Sequence, residues 1–213
     1  MSRRPFPAIM ARMSSIERAS SGHVRVREAE AGDAAAIGRV RHASWQRAYS
    51  GLMPADYLAG LSVDGFVLSA ERMLDAHARG RVSVFVAEVG GVVSGFATVG
   101  PSRDDDAGER HAGMREGRVD QPDGVRRGSA TGELWAIYVD PAIWGLGIGR
   151  RLQTAALQRL REDGYSEATL WVLAANTGSR AFYERTGWRA DGGTSEFEAG
   201  AEVLDETRYR RAL

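Results

Sequence analysis

The 213-residue sequence contains no cysteine and no lysine, so all 28 of its cationic residues are arginine. Without cysteine the chain cannot form a disulfide, a thiolate metal site or a cysteine nucleophile, and this composition fits the reducing cytoplasm, where we expect the protein. Arginines are balanced by 28 acidic residues, which leaves no basic excess for nucleic acid. No apolar run approaches the roughly 18 residues of a membrane helix. We therefore expect neither a nucleic-acid partner nor a membrane.

What is present is typical of an ordinary globular protein, with 43% hydrophobic and 26% charged residues. We predict one domain over 23–213 and a disordered N-terminal tail over 1–22, which lacks the continuous apolar core of a secretory signal. Residues 101–132 are rich in Gly, Asp and Arg and have almost no large apolar side chains. This stretch is predicted to be a flexible insertion between the third and fourth strands. Disorder and an active-site flap both remain open interpretations of it.

Periodicity predicts alternating strands and helices along the chain. Apolar and polar residues alternate over 24–27, which indicates a half-buried strand, and Gly90-Gly91 is typical of a hairpin turn. Asp33 is a plausible N-cap for a helix that begins at Ala34. The predicted strands lie at 24–27, 82–89, 92–99, 134–139, 168–173 and 203–210, and the later predicted helices at 63–79, 150–163 and 179–185.

A glycine-rich turn between a strand and a helix is the most informative segment, and it reads Trp144-Gly145-Leu146-Gly147-Ile148-Gly149-Arg150. The first turn of a helix has backbone N–H groups without intrahelical partners, and the helix dipole adds partial positive charge there. Glycines before the helix let the backbone approach an anion closely. The turn is therefore predicted to bind a pyrophosphate.

Three other classes of glycine-rich turn are alternatives for this segment: a P-loop, a dinucleotide-binding turn and an ordinary structural turn. A P-loop requires Lys-Ser/Thr after its last glycine, whereas this chain has Arg150-Arg151. A dinucleotide fingerprint requires an acidic residue at the end of the next strand, but that strand ends in 171–175, which has no acid. An ordinary structural turn remains open from these residues alone.

The turn resembles the acyl-CoA loop, Q/R-x-x-G-x-G/A, of the Gcn5-related N-acetyltransferase (GNAT) superfamily. Gly147 and Gly149 match its glycines, whereas Trp144 stands where the family has Gln or Arg. Downstream, the segment 176–188 resembles the family's N-x-x-A-x-x-F-Y-x-x-x-G-F motif. The resemblance implies an α/β GNAT-like fold. It has a mixed, strongly twisted sheet of six to seven strands, helices on both faces and a V-shaped cleft for coenzyme A.

By resemblance, the cleft holds acetyl-CoA as the co-substrate. The backbone of Ile137 and Val139 would contact its pantetheine arm, and the N–H groups from Leu146 to Arg150 would hold its pyrophosphate. Asn176 and Ser179 match positions that fix the cofactor or its loop. The residues predicted to contact the cofactor are Ile137, Tyr138, Val139, Trp144, Gly145, Leu146, Gly147, Ile148, Gly149, Arg150, Asn176, Ser179 and Tyr183.

Two residues match catalytic positions of the family. Tyr183 stands where a tyrosine donates a proton to the leaving thiolate, and a core tyrosine on an amphipathic helix is the alternative. Glu133 resembles the general base of some members, and a solvated charge at a strand end is the alternative. The backbone N–H of Ile137 is a candidate donor to the oxyanion.

The acceptor site is predicted from the aromatic residues Trp45, Tyr49 and Trp135, for which a core position is the competing interpretation. The scattered histidines predict no metal site. The resemblance implies direct transfer of an acetyl group to a primary amine of a small molecule or a peptide, in a ternary complex. A non-catalytic acyl-CoA sensor is the alternative, and a nucleotide-binding protein a more distant one. A homodimer is compatible with the resemblance, although no segment identifies its interface.

Overall fold

The structure is a computed structural model that describes residues 24–104 and 131–213. The predictions of a disordered tail over 1–22 and of a flexible or flap-like insertion lie outside these residues, except at the ends of the insertion. The strands are β1 Val24–Glu28, β2 Ser83–Val89, β3 Val92–Pro101, β4 Thr131–Val139, β5 Glu167–Leu173, β6 Arg189–Ala199 and β7 Glu202–Ala212. The helices are α1 Ala34–Ala48, α2 Ala55–Gly60, α3 Val63–Ala78, α4 Ile148–Glu162 and α5 Thr177–Arg185.

All seven strands form one sheet in the order β1-β2-β3-β4-β5-β7-β6. Neighbouring strands are antiparallel except β4 and β5, which are parallel. The crossover between that parallel pair contains α4, as a parallel connection requires. The predicted mixed α/β sheet with helices on both faces is confirmed.

Helices cover both faces of the sheet because each carries one apolar stripe. Leu152, Leu157 and Leu160 of α4 are buried against one face together with residues of β2 to β5. On the opposite face, Ile37 and Val40 of α1 pack with residues of α3 and with Val84 and Val86 of β2. We call these the α4 face and the α1/α3 face.

Two elements differ from the sequence prediction, namely α2 and β6. Helix α2 is only six residues long and follows Pro54, so it has too few positions to show a helical period. Strand β6 contains Gly192 and Gly193, and its register with β7 shifts between Ala190 and Thr194. Asp33 precedes α1 as predicted, but its side chain makes no capping bond to the helix and instead pairs with Arg27.

The feature that creates a site is the separation of β4 from β5. The two strands pair only where residues 131–133 face residues 167–169, and no register continues beyond Glu133 and Thr169. Just after this point, β4 has one extra residue relative to β3, because Val99 pairs with Leu134 while Thr98 pairs with Ala136. The unpaired residue is Trp135, and a bulge of this kind bends a strand. The C-terminal half of β4 therefore diverges from β5.

None of the helices within the described ranges is both long and apolar enough to cross a membrane.

Candidate active site

The gap between β4 and β5 opens into a cleft of about 1350 Å³. Its walls are formed by 134–139 of β4, 171–173 of β5, the glycine turn, the beginning of α4, and α5 with the loop before it. The end of α1 closes it on the α1/α3 face. A cavity of this size suits a ligand larger than a typical metabolite.

The backbone of Ile137 and Val139 points into this gap. The Asp140 N–H donates to the Ser94 oxygen at 2.8 Å, so positions 94 and 140 are a hydrogen-bonded pair of the β3–β4 ladder. Such pairs alternate along antiparallel strands. Ile137 and Val139, opposite Ala97 and Gly95, are therefore non-hydrogen-bonded positions, whose N–H and C=O groups face away from β3. A ligand lying in the gap meets these groups as though it were a neighbouring strand.

The carbonyl oxygen of Val139 is already occupied. It accepts a hydrogen bond of 2.7 Å from the Ser44 hydroxyl and another of 2.7 Å from the Trp144 indole Nε1. A carbonyl has two lone pairs, and both are used here. The predicted contact between this carbonyl and a cofactor therefore requires one of the two donors to move.

The glycine turn has the geometry of an anion site. Gly145 and Gly147 have φ values of +85° and +76°, a region that favours glycine, and Gly147 is the N-cap of α4. The first amide of the helix with a backbone partner is that of Arg151, which donates to the Gly147 oxygen. Among the described residues, the amides of 145–150 donate no hydrogen bond. These six unpaired donors at a helix N-terminus are suited to a pyrophosphate.

The charges around the cleft also favour an anion. Five arginines line it, and among the described residues only one carboxylate does. The arginines are Arg47, Arg150, Arg161, Arg185 and Arg211, and the carboxylate is Glu206.

Asn176 and Ser179 lie at the beginning of α5, beside the cleft. The Ser179 N–H donates to the Asn176 side-chain oxygen at 3.1 Å, so Asn176 caps this helix. Both residues line the cleft. The structure thus gives Asn176 a local role in shaping the cleft wall, and its predicted cofactor contact remains a prediction.

Tyr183 belongs to α5 and lines the cleft. Burial raises the pKa of the Tyr183 hydroxyl well above its usual range, and the nearby Tyr138 raises it further. Its ring packs against Trp188 and Tyr209, with centroids 6.2 and 6.3 Å away. A phenol with a raised pKa stays protonated at neutral pH and can donate a proton. The Tyr183 ring packs against the core, and the same residue borders the cleft. Its role as the catalytic acid stays a prediction.

Glu133 has a different environment from the one predicted. Its side chain is 1% exposed, and its carboxylate accepts from the Arg103 backbone N–H at 2.8 Å and from the Arg103 guanidinium. It does not line the cleft. The solvated-charge alternative is wrong, since the carboxylate is buried in an ion pair, and the general-base role stays a prediction. The β4–β5 pairing ends at this residue, so the ion pair secures the point from which the gap opens.

The three aromatic residues predicted for the acceptor site do not share one environment. Trp45 is 0% exposed and packs against Tyr49, Phe66 and Phe197, so its predicted place on the pocket wall is wrong. Helical spacing could not separate the two faces of α1. Tyr49 and Trp135 do line the cleft. Trp135 donates its indole N–H to the Pro101 oxygen at 3.0 Å and stacks under Arg103.

Glu206, which lines the cleft, and Arg103, which pairs with Glu133, carry no sequence signal of these roles. Glu206 is 4% exposed and borders the cleft from β7. Burial raises its pKa to about 7; Arg103 opposes this shift and Glu133 adds to it. Its position in a strand with alternating polar residues resembles that of a solvent-facing glutamate. No group of three or more His, Asp or Glu side chains in the described ranges is placed to hold a metal ion.

The sequence of this chain is similar to those of known acetyltransferases. Residues 45–188 match the family model described as the acetyltransferase (GNAT) family. The uncharacterized N-acetyltransferase YuaI of Bacillus subtilis is 31% identical over 162 residues, which cover 76% of this chain and 78% of that protein. A mycothiol acetyltransferase of Beutenbergia cavernae is 42% identical over 60 residues, and the match spans 28% of this chain but only 20% of that protein.

Solved structures share the fold at lower identity. The PaiA N-acetyltransferase of Thermoplasma acidophilum, in complex with coenzyme A, superimposes with a TM-score of 0.66 at 14% identity, covering 90% of this chain and 99% of the other. The ribosomal-protein-alanine N-acetyltransferase of Brucella melitensis gives a TM-score of 0.63 at 21% identity, with coverages of 89% and 99%. With the family match over 45–188, these similarities and the split sheet establish that the chain is an enzyme of the acetyltransferase (GNAT) family.

Proposed function

We propose that the protein transfers an acetyl group from acetyl-coenzyme A directly to a primary amine of a small molecule or a peptide, with both substrates bound at once. The observation that carries this proposal is the gap between β4 and β5. The backbone groups of Ile137 and the N–H of Val139 face the gap without a partner on β3, and the unpaired amides of 145–150 lie beside it. The PaiA structure with bound coenzyme A has the same fold, which supports this donor.

The arrangement of the gap fits the shape of the donor. An extended pantetheine arm carries amide groups that can pair with the free strand edge, and a pyrophosphate can occupy the glycine turn. Arg150 and the four other arginines of the lining balance the phosphate charges. The thioester would then lie beside Tyr183 and the N–H of Ile137.

The chemistry requires a protonated group for the leaving thiolate and a donor for the oxyanion. Tyr183, with its raised pKa, keeps its proton until the thiolate forms. The Ile137 N–H is available because it makes no ladder bond to β3. No cysteine exists to carry the acetyl group, so the amine attacks the thioester directly. Similar proteins are named for acceptors as different as mycothiol and ribosomal-protein alanine, and the acceptor class therefore stays broad.

Isothermal titration of acetyl-CoA into the protein tests the donor, with NAD and ATP as controls. We expect micromolar binding of acetyl-CoA alone, and a matched Gly147→Val variant should lose it because a β-branched residue strains the left-handed backbone at φ +76°. Preferential binding of NAD or ATP would contradict the donor assignment. An acyl-CoA sensor would bind acetyl-CoA equally well but would release no thiol when primary amines are added.

A further inference from the structure

Glu206 occupies a position in the sheet that brings it to the gap. In β7 it is the register partner of Leu173, the last residue of β5, and of Ser195 in β6. Residues directly opposite on antiparallel strands point to the same face. Leu173 packs with Trp45 of α1 and with Tyr49 directly after that helix, which places Glu206 on the α1/α3 face. The glycine turn leads into α4 on the other face, so Glu206 and the phosphate end of the cleft lie on opposite sides of the sheet.

Glu206 lies close to tyrosines that line the cleft. The pKa of Tyr49 is raised well above its usual range. Burial is the largest cause, and Tyr138, Tyr183 and Glu206 raise it further. Tyr138 lies in β4, Tyr183 in α5 and Tyr49 directly after α1. All three line the cleft together with Glu206. The charged groups that act on Glu206 are Arg103 and Glu133, which oppose each other.

No hydrogen bond to the Glu206 carboxylate forms among the described residues, although the residue is only 4% exposed. Its oxygens are not among the fully buried side-chain atoms without a partner, so they keep an opening onto the cleft that the residue lines. A carboxylate that is largely desolvated and yet accessible from a cleft is a candidate functional group. Glu133 provides the contrast, since Arg103 binds both of its oxygens.

We propose that Glu206, rather than Glu133, is the general base of the acetyl transfer, and that it admits an acceptor arriving as an ammonium ion from the α1/α3 face. This assignment rests on the proposed function. Among the described residues, Glu206 is the one carboxylate that lines the cleft. Tyr49 and Tyr138 supply aromatic walls beside it, which suit a cation.

The Glu206 carboxylate takes one proton from the ammonium and leaves a neutral amine. The amine lone pair forms the new C–N bond to the thioester carbonyl carbon, and the C–S bond breaks. The departing thiolate receives the Tyr183 proton, and the proton lost from the new amide nitrogen restores Tyr183. Glu206 then releases its proton to solvent, so each turnover yields amide, thiol and one proton.

The test compares two probe amines in a thiol-release assay of the full chain. Benzylamine is protonated near neutral pH and needs a base, whereas hydroxylamine is largely unprotonated and does not. For Glu206→Gln we expect kcat with benzylamine to fall about 100-fold and kcat with hydroxylamine to change much less. Wild-type kcat with benzylamine should rise with pH through about 7, and this step should vanish in the variant. Glu202→Gln, an exposed carboxylate of the same strand, is the matched control.

Titration of acetyl-CoA distinguishes a failure of the Glu206 assignment from a failure of the proposed function. Unchanged acetyl-CoA affinity with selective loss of the benzylamine reaction supports the base assignment. Equal losses with both amines, or full activity of Glu206→Gln with a larger loss in Glu133→Gln, overturn it. If the wild type binds acetyl-CoA yet acetylates neither amine, the base assignment falls while the donor site stands. If it binds no acetyl-CoA, the proposed function itself fails.

Discussion

The Trp144 indole Nε1 and the Val139 carbonyl oxygen are joined by a 2.7 Å hydrogen bond across the mouth of the cleft. Trp144 is 47% exposed, so the bond forms at the surface, and the Ser44 hydroxyl fills the other lone pair of the same oxygen. A cofactor amide that uses this oxygen must displace one donor. Trp144 therefore competes with the cofactor for part of the strand edge.

Removing only the indole donor tests this competition. We expect Trp144→Phe to bind coenzyme A about two- to tenfold more tightly, which corresponds to one hydrogen bond, as measured by isothermal titration. Leu146→Ala, an equally exposed apolar residue of the same turn, is the control for lost surface and should leave the Kd unchanged. Weaker binding by Trp144→Phe would mean that the indole contacts the cofactor instead.

Tyr183→Phe removes the predicted acid while leaving the ring in place. We expect kcat to fall about 100-fold or more with unchanged acetyl-CoA affinity, because the ring packing against Trp188 and Tyr209 is preserved. Tyr165→Phe is a matched control, since Tyr165 lies outside the cleft and its pKa is also raised. Unchanged turnover in Tyr183→Phe would contradict the acid role.

Arg103 is expected to stabilise the protein through Glu133. Arg103→Met keeps an aliphatic side chain over Trp135 but leaves the buried Glu133 carboxylate without its guanidinium. We expect the free energy of unfolding in urea to fall by about 2 kcal/mol, the order of a lost charge-assisted hydrogen bond. Arg39→Met, at an exposed position of α1, should change it little. A double variant Arg103→Met/Glu133→Gln should recover part of the loss; no recovery would show that the two side chains act independently.

Asp33 should make stability depend on pH. The hydrogen bond from Arg27 lowers the pKa of Asp33 below its ordinary value of 3.8, against an opposing effect of burial. Because the folded pKa is the lower one, this stabilisation is complete above 3.8 and disappears as the pH falls through the folded value. We expect Asp33→Asn to be less stable than wild type at pH 7 and nearly equal to it in strong acid. Asp56→Asn is the exposed control, and parallel pH curves for Asp33→Asn and wild type would refute the linkage.

Much of the fold was accessible from the sequence because the strands and helices have clear periods. Strands β2 and β3 are mostly buried apolar runs on either side of Gly90-Gly91, and α4 has a regular apolar stripe. The turn before α4 was located correctly because glycine is required where φ is positive. Strand β6 was missed, since its two central glycines and its register shift remove the alternation on which the prediction depends.

The catalytic side of the site was less accessible, because burial depends on neighbours that are distant in sequence. Glu206 is buried only because β7 lies between β5 and β6, an order that local periodicity does not reveal. The sequence does not reveal that Glu133 is in an ion pair, because its partner, Arg103, lies 30 positions earlier, within the predicted insertion. Trp45 in α1 and Tyr49 directly after it are four residues apart and both are buried, yet only Tyr49 reaches the cleft.

The split of the sheet separates the groups that would bind the donor from those that would bind the acceptor, and this affects how acceptor preference can evolve. On the proposed function, the donor is held by main-chain groups of β4 and the glycine turn, whereas the acceptor meets side chains on the α1/α3 face. Main-chain contacts survive most substitutions, and side-chain contacts do not. Acceptor preference can therefore diversify through positions such as Tyr49 and Glu206 while the donor site stays intact. On this proposal, donor binding and acceptor preference depend on different faces of one sheet and can change independently.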